Sequence, residues 1–276
     1  MSIDTHTAVF GVIGKPITHS LSPLMHNAAF THSGRNAVYL AFEVTDIKAA
    51  VSGIRGLGIT GVSITIPHKV SVIPLLDALD PLAEKIGAVN TLVWKDGKLR
   101  GYNTDCTGAV QALAKKSRIT GKQVIVLGAG GAARAVGFGI AARGGQVTIV
   151  NRTESRGKTL ASALNMPFCP LSQVSGLEWD ILINTTSIGM APKPDAMPVP
   201  AQFLVKGKVV MDIVYNPVDT LLLRTAAKKG CITVDGVSMF VNQGARQFEL
   251  WTGTEAPIVI MEKAVREALL NISAKC

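Results

Sequence analysis

An apolar segment that runs directly into a glycine-rich loop constrains the fold of this chain more than any other feature. Residues 124–127 are all apolar, and the pattern Gly128-x-Gly130-x-x-Ala133 begins where they end. Helical spacing continues to about residue 142, and residues 147–150 have the composition of a strand. Glycines in such a loop let the backbone approach a pyrophosphate, which then lies at the positive end of the helix. The order predicts a βαβ unit that binds a dinucleotide, with a tight structural turn as the alternative.

The remaining apolar patterns alternate between strand and helix spacing, with an Asp96-Gly97 hairpin turn between residues 88–94 and 99–102. Such alternation predicts an α/β fold with mostly parallel sheets. A second unit is expected to begin near Gly121. The predicted strands are residues 8–14, 37–44, 61–67, 180–184, 209–213 and 231–234, and the predicted helices are residues 22–32, 46–57, 70–79, 239–251 and 257–272.

Composition excludes several classes of protein. The chain is 47% apolar and 17% charged, which indicates a packed core, and no apolar run is long enough to span a membrane. The first residues lack a secretory signal, and the four cysteines have neither disulfide nor zinc spacing, so a cytoplasmic location is expected. The net charge of +9 is spread along the chain without an arginine-rich tract. This distribution favours small anionic ligands over nucleic acid.

The residues after the second strand of the dinucleotide unit indicate whether the cofactor is NAD or NADP. A site for NAD usually has an acidic residue there to hold the ribose 2′-hydroxyl. This chain has Asn151-Arg152-Thr153, followed by Glu154 and Arg156. Arginine offers a planar cation to a 2′-phosphate, so we predict NADP, with two solvated surface arginines as the alternative. We expect Glu154 to point away from the site.

Polar residues gather near predicted strand ends in the first hundred residues. They are His19, Ser20, Ser22, Thr65, Lys69, Asn90, Thr91, Asn103, Thr104 and Asp105. Ligands of open α/β sheets bind beyond the carboxyl ends of the strands. Hydroxyls, amides, one amine and one carboxylate suit a polyhydroxylated acid. Each residue alone has another interpretation, with Ser22 as a helix cap, Asn90 as a turn former and Lys69 as a solvated charge.

An ordered series of motifs is similar to that of the shikimate dehydrogenase family and covers nearly the whole chain. The motifs are Gly14-Lys15-Pro16, His19 to Pro23 with His26-Asn27, Thr65 to Lys69, Gly87 to Thr91, Gly101 to Asp105, Gly128 to Ala132, Asn151 to Thr153, Asn184 to Met190, Tyr215 to Pro217 and Asp235 to Gln243. Two positions depart from the usual family pattern, His68 before the lysine and Ser238 before Met239. We expect His68 to be structural; a second titrating group is the alternative.

The resemblance implies a substrate domain (1–105, joined by helices 239–276) and a Rossmann-like, doubly wound NADP domain (106–238), separated by a cleft. It implies Lys69 and Asp105 as the catalytic pair. The implied substrate-binding residues are Ser20, Ser22, Thr65, Lys69, Asn90, Asp105, Tyr215 and Gln243. The implied cofactor-binding residues are Gly128, Ala129, Gly130, Gly131, Ala132, Asn151, Arg152, Thr153, Arg156, Thr186, Ile213 and Gly236. No metal site is implied.

The function implied by the resemblance is the NADP-dependent, reversible reduction of 3-dehydroshikimate to shikimate in chorismate biosynthesis. Reduction of a ketone needs a hydride on carbon and a proton on oxygen. A nicotinamide supplies the hydride, and an ammonium such as that of Lys69 donates the proton. A quinate/shikimate dehydrogenase with relaxed cofactor use is the alternative enzyme. A regulatory protein without turnover is the third hypothesis, although it would be expected to lack Lys69 or Asp105. The expected partner is a small-molecule substrate, with no membrane or nucleic acid, in a monomer or homodimer.

Overall fold

The computed structural model describes residues 3–273, and this part of the chain forms two compact units. The first contains the residues up to Thr104 together with Gln243–Asn271, and the second is built around Asp105–Asn242. Each unit has its own six-stranded sheet, in which strands alternate with helices along the chain. The α/β fold class predicted from the sequence is therefore confirmed.

The sheet of the first unit has the strand order β2-β1-β3-β5-β6-β4. β1, β2 and β3 pair in parallel, β5 is antiparallel to both β3 and β6, and β4 is parallel to β6. The strands are β1 (Ala8–Gly14), β2 (Ala37–Glu43), β3 (Gly61–Ile64), β4 (Ala78–Leu79), β5 (Thr91–Lys95) and β6 (Lys98–Tyr102), and the first helices are α1 (Ser22–His32), α2 (Ile47–Leu57) and α3 (Pro81–Ile86).

Local signals explain where the helices of this unit begin and end. The side chain of Asp46 accepts hydrogen bonds from the N–H groups of Lys48 and Ala49, so it caps α2. Gly58, with φ of 64°, ends α2 in the left-handed conformation that glycine adopts without strain. Buried Ile54 anchors α2 in the core below β3, where its loss to alanine would cost about 2–5 kcal/mol.

The helix predicted over residues 70–79 is wrong. This segment contains only a 3₁₀ turn, Ile73–Leu75, before the short strand β4. Pro74 lacks an N–H group and cannot continue an α-helical hydrogen-bond ladder. Asp77 then accepts from Arg55 (2.6 Å) and from the N–H of Leu99 (2.7 Å), which ties the segment to β6 in an extended form.

The sheet of the second unit is parallel throughout, with the order β12-β11-β10-β7-β8-β9. This doubly wound arrangement is the Rossmann-like topology expected from the glycine-rich loop. The strands are β7 (Gln123–Leu127), β8 (Gln146–Asn151), β9 (Phe168–Pro170), β10 (Ile181–Asn184), β11 (Val209–Asp212) and β12 (Ile232–Val234). The helices are α4 (Asp105–Ala114), α5 (Gly131–Ala142), α6 (Glu154–Leu164) and α7 (Leu221–Lys228), and the chain ends in α8 (Gly236–Thr252) and α9 (Ile258–Ser273).

The strand order places β7 between β10 and β8. The chain therefore adds β8 and β9 on one side of β7 within the sheet, and later adds β10, β11 and β12 on its other side. Ligands of such sheets bind beyond the carboxyl ends of the strands at this switch point. Two buried apolar clusters cover the two faces of the sheet, one around Val126 and Ile149 and the other around Ile125 and Leu182. The loop after β7 is therefore held on a rigid base.

Candidate active site

The predicted substrate residues of the first unit lie along one edge of its sheet. β1, β3 and β6 run in the same direction, so their carboxyl ends share an edge, and the antiparallel β5 begins at that edge. Ser20 follows β1, Thr65 and Lys69 follow β3, and Asn90 directly precedes β5. The sheet topology therefore gathers onto one edge polar residues that are far apart in the sequence.

Backbone hydrogen bonds hold the loop that carries Lys69. The N–H of Thr65 donates to the carbonyl of Ile13 (2.9 Å), which extends the β1–β3 pairing by one residue. The N–H of Val89 donates to the carbonyl of Lys69 (2.8 Å), so Lys69 lies beside the residue that precedes Asn90. The Lys69 residue is half-buried. An amine in this position is suited to contact a small molecule bound at the edge of the sheet.

His68 is a structural histidine. Its side chain is buried, and Nε2 lies 2.8 Å from the carbonyl oxygen of Val44. A carbonyl oxygen only accepts hydrogen bonds, so Nε2 carries the proton and donates it. The contact ties the loop after β3 to the end of β2, as the structural interpretation of His68 requires.

Asn90 is buried and has a fixed side-chain orientation. The N–H of Thr104 donates to Asn90 Oδ1 (2.7 Å), and the hydroxyl of Thr91 donates to the same oxygen (2.8 Å). Asn90 Nδ2 donates to Thr104 Oγ1 (2.9 Å) and lies 3.4 Å from Gln243 Oε1. Because a backbone N–H can only donate, Asn90 Oδ1 must be the atom that faces the N–H of Thr104. The NH₂ group then faces the hydroxyl of Thr104 and Gln243. Asn90 is thus part of a polar network and is more than a turn residue.

Asp105 directly follows Thr104, which Asn90 anchors, and is the first residue of α4 in the second unit. Its side chain is buried. Burial and, to a smaller extent, the negative charge of Asp105 raise the pKa of the neighbouring Cys106 thiol to about 11. Cys106 is therefore held as an unreactive thiol.

The serine pair after β1 does not cap α1. Ser22 is the first residue of the helix, and its N–H donates to Ser20 Oγ (3.3 Å). Ser22 is buried, and among the described residues no side-chain hydrogen bond caps the helix. The alternative interpretation of Ser22 as a helix cap is therefore wrong.

Tyr215 belongs to the second unit, in the segment after β11, where its ring stacks on Phe240 with centroids 4.5 Å apart. Ile213 and Gly236 lie together in the same unit. A Cβ at Gly236 would come within 2.4 Å of the Val214 carbonyl oxygen and 2.7 Å of the Ile213 carbonyl oxygen. Any side chain at position 236 would clash with these carbonyl groups. The two predicted cofactor residues, Ile213 and Gly236, therefore lie side by side.

The glycine-rich loop has the geometry that a pyrophosphate needs. Gly128 has φ of 120°, and a Cβ there would meet Thr185 Oγ1 at 2.6 Å. Gly130 precedes α5 with open space where a side chain would lie. The first N–H groups of the 12-residue helix α5 are therefore accessible to an anion, and the helix dipole favours negative charge there. Gly131 and Ala132 form the first turn. These residues fit a dinucleotide.

A cavity of about 260 Å³ lies beside this loop and carries positive charge. It is lined by Ala129 and by two arginines, Arg156 and Arg134, with the hydroxyl residues Ser155 and Thr159. The sequence predicted Arg156 but missed Arg134, whose position in the first turns of α5 was the available signal. Two guanidinium groups with hydroxyls form a donor set that fits a phosphate.

Glu154, the only acidic residue between β8 and Arg156 and the first residue of α6, forms an ion pair at the surface. Glu154 Oε2 lies 2.9 Å from Lys158 Nζ, one turn along α6. Asn151 Nδ2 donates to the carbonyl of Thr153 (2.8 Å) and shapes the loop, while Arg152 is exposed. Glu154 thus does not stand unpaired where it would repel a 2′-phosphate.

A buried carboxylate that the sequence analysis did not single out supports the loops on the other side of the switch point. Asp212 accepts from Asn184 Nδ2 (2.9 Å), the N–H of Val214 (3.0 Å) and the hydroxyl of Thr220 (2.8 Å). Asn184 Oδ1 in turn accepts from the hydroxyl of Thr186 (2.7 Å). Burial raises the pKa of Asp212 to about 6. This network fixes the loops that carry Thr186 and Ile213.

Within residues 3–273 the structure contains no group of three or more histidine, cysteine, aspartate or glutamate residues that could hold a metal ion. None of the helices in the described part of the chain is long and apolar enough to cross a membrane.

Three family models match successive parts of the chain. The shikimate dehydrogenase substrate binding domain matches residues 12–92, and shikimate / quinate 5-dehydrogenase matches residues 111–193. The shikimate 5'-dehydrogenase C-terminal domain matches residues 236–266. The matches include both units described above.

Individual proteins are similar over nearly the full length. A shikimate dehydrogenase (NADP(+)) from Methanosarcina mazei is 48% identical, with 95% of this chain and 98% of the relative covered. One from Moorella thermoacetica is 44% identical, with 98% and 96% covered. The crystal structure of shikimate 5-dehydrogenase from Thermus thermophilus, in complex with NADP(H) and shikimate, has a TM-score of 0.88 at 36% identity. The match covers 95% of this chain and 100% of that one.

Proposed function

The chain belongs to the shikimate dehydrogenase family, and we propose that it catalyses the reversible, NADP-dependent reduction of 3-dehydroshikimate to shikimate. The reaction is a step in chorismate biosynthesis. The observation that carries the proposal is the shared edge of the first sheet, where hydroxyls, an amide and an amine are held by backbone pairing. Such a set suits a small acid with several hydroxyls, and the second unit supplies a surface for a dinucleotide.

We propose that Lys69 donates a proton to the carbonyl oxygen of the substrate, which becomes the hydroxyl of the product. When bound, the reduced nicotinamide supplies the hydride to the carbonyl carbon. The ammonium of Lys69 also stabilises the negative charge that develops on the oxygen. In the direction of oxidation, the neutral amine accepts the proton of the hydroxyl. In this proposal Asp105 orients the amine.

The substrate contacts are assigned by chemistry. Asn90 presents its NH₂ group, and Ser20, Ser22, Thr65, Tyr215 and Gln243 supply the remaining hydroxyl and amide groups. These residues hold the hydroxyls and the carboxylate of shikimate. The NH₂ group of Asn90 donates to Thr104 Oγ1 (2.9 Å), and its longer contact with Gln243 Oε1 (3.4 Å) is the one that a substrate hydroxyl replaces in this proposal.

NADP is held in this proposal by the second unit. Gly128, Ala129, Gly130, Gly131 and Ala132 hold the pyrophosphate. Asn151, Arg152, Thr153 and Arg156 surround the adenosine, and the arginines pair with its 2′-phosphate. Thr186, Ile213 and Gly236 line the nicotinamide end. The cavity beside Arg156 and the pairing of Glu154 with Lys158 support the preference for the phosphorylated cofactor.

We further propose that residues 1–105 with 239–276 form the substrate-binding domain and residues 106–238 the NADP-binding domain, although the compact units change over at Thr104 and at Gln243. A cytoplasmic location is proposed as well. In its support, Cys106, Cys169 and Cys231, the cysteines of the described chain, are all free thiols. The protein acts as a monomer or a homodimer.

The test is an absorbance assay at the reduced-nicotinamide band, with shikimate or quinate and with NADP or NAD. We expect NADP-dependent oxidation of shikimate, with turnover on quinate or with NAD at least tenfold slower. Comparable rates with quinate or NAD would instead favour a quinate/shikimate dehydrogenase with relaxed cofactor use. The absence of turnover on both substrates would contradict the proposed function.

A further inference from the structure

A buried glutamine that no motif singled out joins several of the proposed substrate residues. Gln247 lies on α8, one turn beyond Gln243, and only 1% of its surface is exposed. Its Nε2 donates to the carbonyl of Asn90 (3.1 Å) and to the hydroxyl oxygen of Thr91 (2.9 Å). Its Oε1 accepts from the hydroxyl of Ser63 (2.9 Å). Both N–H groups of the Gln247 amide and its oxygen therefore have partners in this network.

The chain of hydrogen bonds continues beyond Ser63 to the other end of the site. Ser63 Oγ accepts from the hydroxyl of Tyr39 (2.6 Å), and the side chain of Ser22 lies near the Tyr39 hydroxyl. Ser22 and Asn90 are both proposed substrate contacts. They come from separate elements of the first unit, and Gln247 lies on the buried path between them.

Backbone groups fix the direction of every bond in this path. The carbonyl of Asn90 only accepts, so the NH₂ group of Gln247 must face it and its oxygen must face Ser63. Ser63 then donates to Gln247, and its oxygen accepts the single proton of Tyr39. The oxygen of Tyr39 is left as an acceptor on the side of Ser22. The orientation of the Gln247 amide thus determines the direction of the Tyr39–Ser63 bond, beside which Ser22 lies.

We propose that Gln247 is a positioning residue for the substrate, which acts through Asn90 and through the Ser63–Tyr39–Ser22 path. It holds the backbone at Asn90, so that the NH₂ group of that residue stays aimed at the substrate. It also fixes the direction of the Ser63–Tyr39 hydrogen bond, so that the Tyr39 oxygen stays an acceptor towards Ser22. The inference rests on the proposed function, because it needs Asn90 and Ser22 to contact shikimate.

The test compares two substitutions of Gln247 by isothermal titration calorimetry. Gln247→Leu removes all three hydrogen bonds, and we expect the Kd for shikimate to rise at least about tenfold, the effect of roughly one net hydrogen bond. The Kd for NADP is expected to stay within twofold, since its proposed residues are in the second unit. A shikimate Kd within twofold of wild type would overturn the proposal.

Gln247→Glu keeps the test decisive if the leucine variant does not fold. A protonated carboxyl retains one donor and one acceptor, whereas a carboxylate has no donor for the carbonyl of Asn90. The shikimate Kd of this variant, relative to wild type, should therefore be smaller at pH 5.5 than at pH 8.5. The titratable groups facing this position are His26 and Tyr39, and burial keeps both neutral over this range. A ratio that does not change with pH contradicts the proposal.

Two further variants separate a positioning role from structural support and from failure of the proposed site. Asp77 accepts hydrogen bonds from Arg55 (2.6 Å) and from the N–H of Leu99 (2.7 Å), and neither of these partners lies on the path from Asn90 to Ser22. Asp77→Ala should lower the melting temperature and leave the shikimate Kd within twofold. Asn90→Ala should weaken shikimate binding. If Asn90→Ala does so and both Gln247 variants bind normally, the positioning role fails and the proposed site stands. If Asn90→Ala also binds normally, the proposed site itself is wrong.

Discussion

Replacement of His26 is expected to make the protein less sensitive to acid. The His26 side chain is fully buried on α1 and stacks on Tyr39, with ring centroids 4.5 Å apart. Among the described residues, neither ring nitrogen has a hydrogen-bond partner, although Gln247 lies near enough to stabilise the charged ring slightly. Burial lowers the pKa of His26 from 6.5 to about 3. The histidine is therefore neutral in the folded protein.

The sign and size of the effect follow from proton linkage. Below pH 6.5 the unfolded chain takes up a proton at His26 and the folded protein does not, so the free energy of unfolding falls as the pH decreases towards 3. With these pKa values, wild type loses about 2 kcal/mol at pH 5 and almost nothing at pH 7.5 through this group. His26→Leu or His26→Met, which nearly conserve volume, remove that loss. The stacking and the unpaired nitrogens contribute equally at both pH values and cancel in the comparison.

The assay is urea unfolding at pH 5.0 and pH 7.5, followed by tryptophan fluorescence, since Trp251 lies 5.1 Å from the His26 ring. We expect the difference in free energy of unfolding between variant and wild type to shift by about 2 kcal/mol towards the variant at pH 5.0. His32→Leu, at the exposed end of the same helix, is the control and should change the free energy by less than about 0.5 kcal/mol. A difference that is equal at both pH values would refute the argument.

Two further outcomes concern the second unit. Arg156→Ala should raise the KM for NADP about tenfold or more and leave the KM for NAD within threefold. The reason is that the substitution removes a charge-assisted hydrogen bond to the 2′-phosphate, which NAD lacks. Equal effects on both cofactors would contradict this role. Burial raises the pKa of Asp212 from 3.8 to about 6, so ionisation makes the folded protein less stable as the pH rises from about 4 to 6. Relative to wild type, Asp212→Asn should therefore gain about 2 kcal/mol in free energy of unfolding between pH 4.5 and 7.5, and a gain in the opposite direction would show that the burial argument is wrong.

Apolar periodicity and turn residues were enough to locate most of the regular structure. β1 and α1 have the predicted bounds, and β7, β8 and β10 differ by one or two residues from the prediction. Four shorter or less apolar helices, α3, α4, α6 and α7, were missed, although a Pro-initiated turn after Asp80 and the Thr220 cap were readable signals. The mistaken helix over residues 70–79 shows that helical spacing was given more weight than Pro74.

The candidate site was only partly readable from the sequence. Strand ends and motifs identified residues such as Lys69 and Asn90, because sheet topology brings strand ends together. Arg134, Asp212 and Gln247 were not singled out, because their importance depends on neighbours from distant parts of the chain. In the sequence Gln247 is one polar residue of a helix, and only the fold shows that it is hydrogen-bonded to Asn90 and Ser63.

The most direct test of the account is the turnover of Lys69→Ala with shikimate and NADP. Proton transfer by a positioned side chain typically contributes about 10²–10⁴-fold, so kcat should fall by at least a hundredfold. The calorimetric Kd values for shikimate and NADP should stay within about fivefold of wild type, and Lys85→Ala, at the exposed end of α3, should have normal turnover. A Lys69→Ala enzyme that retains near-normal kcat would contradict the proposed chemistry.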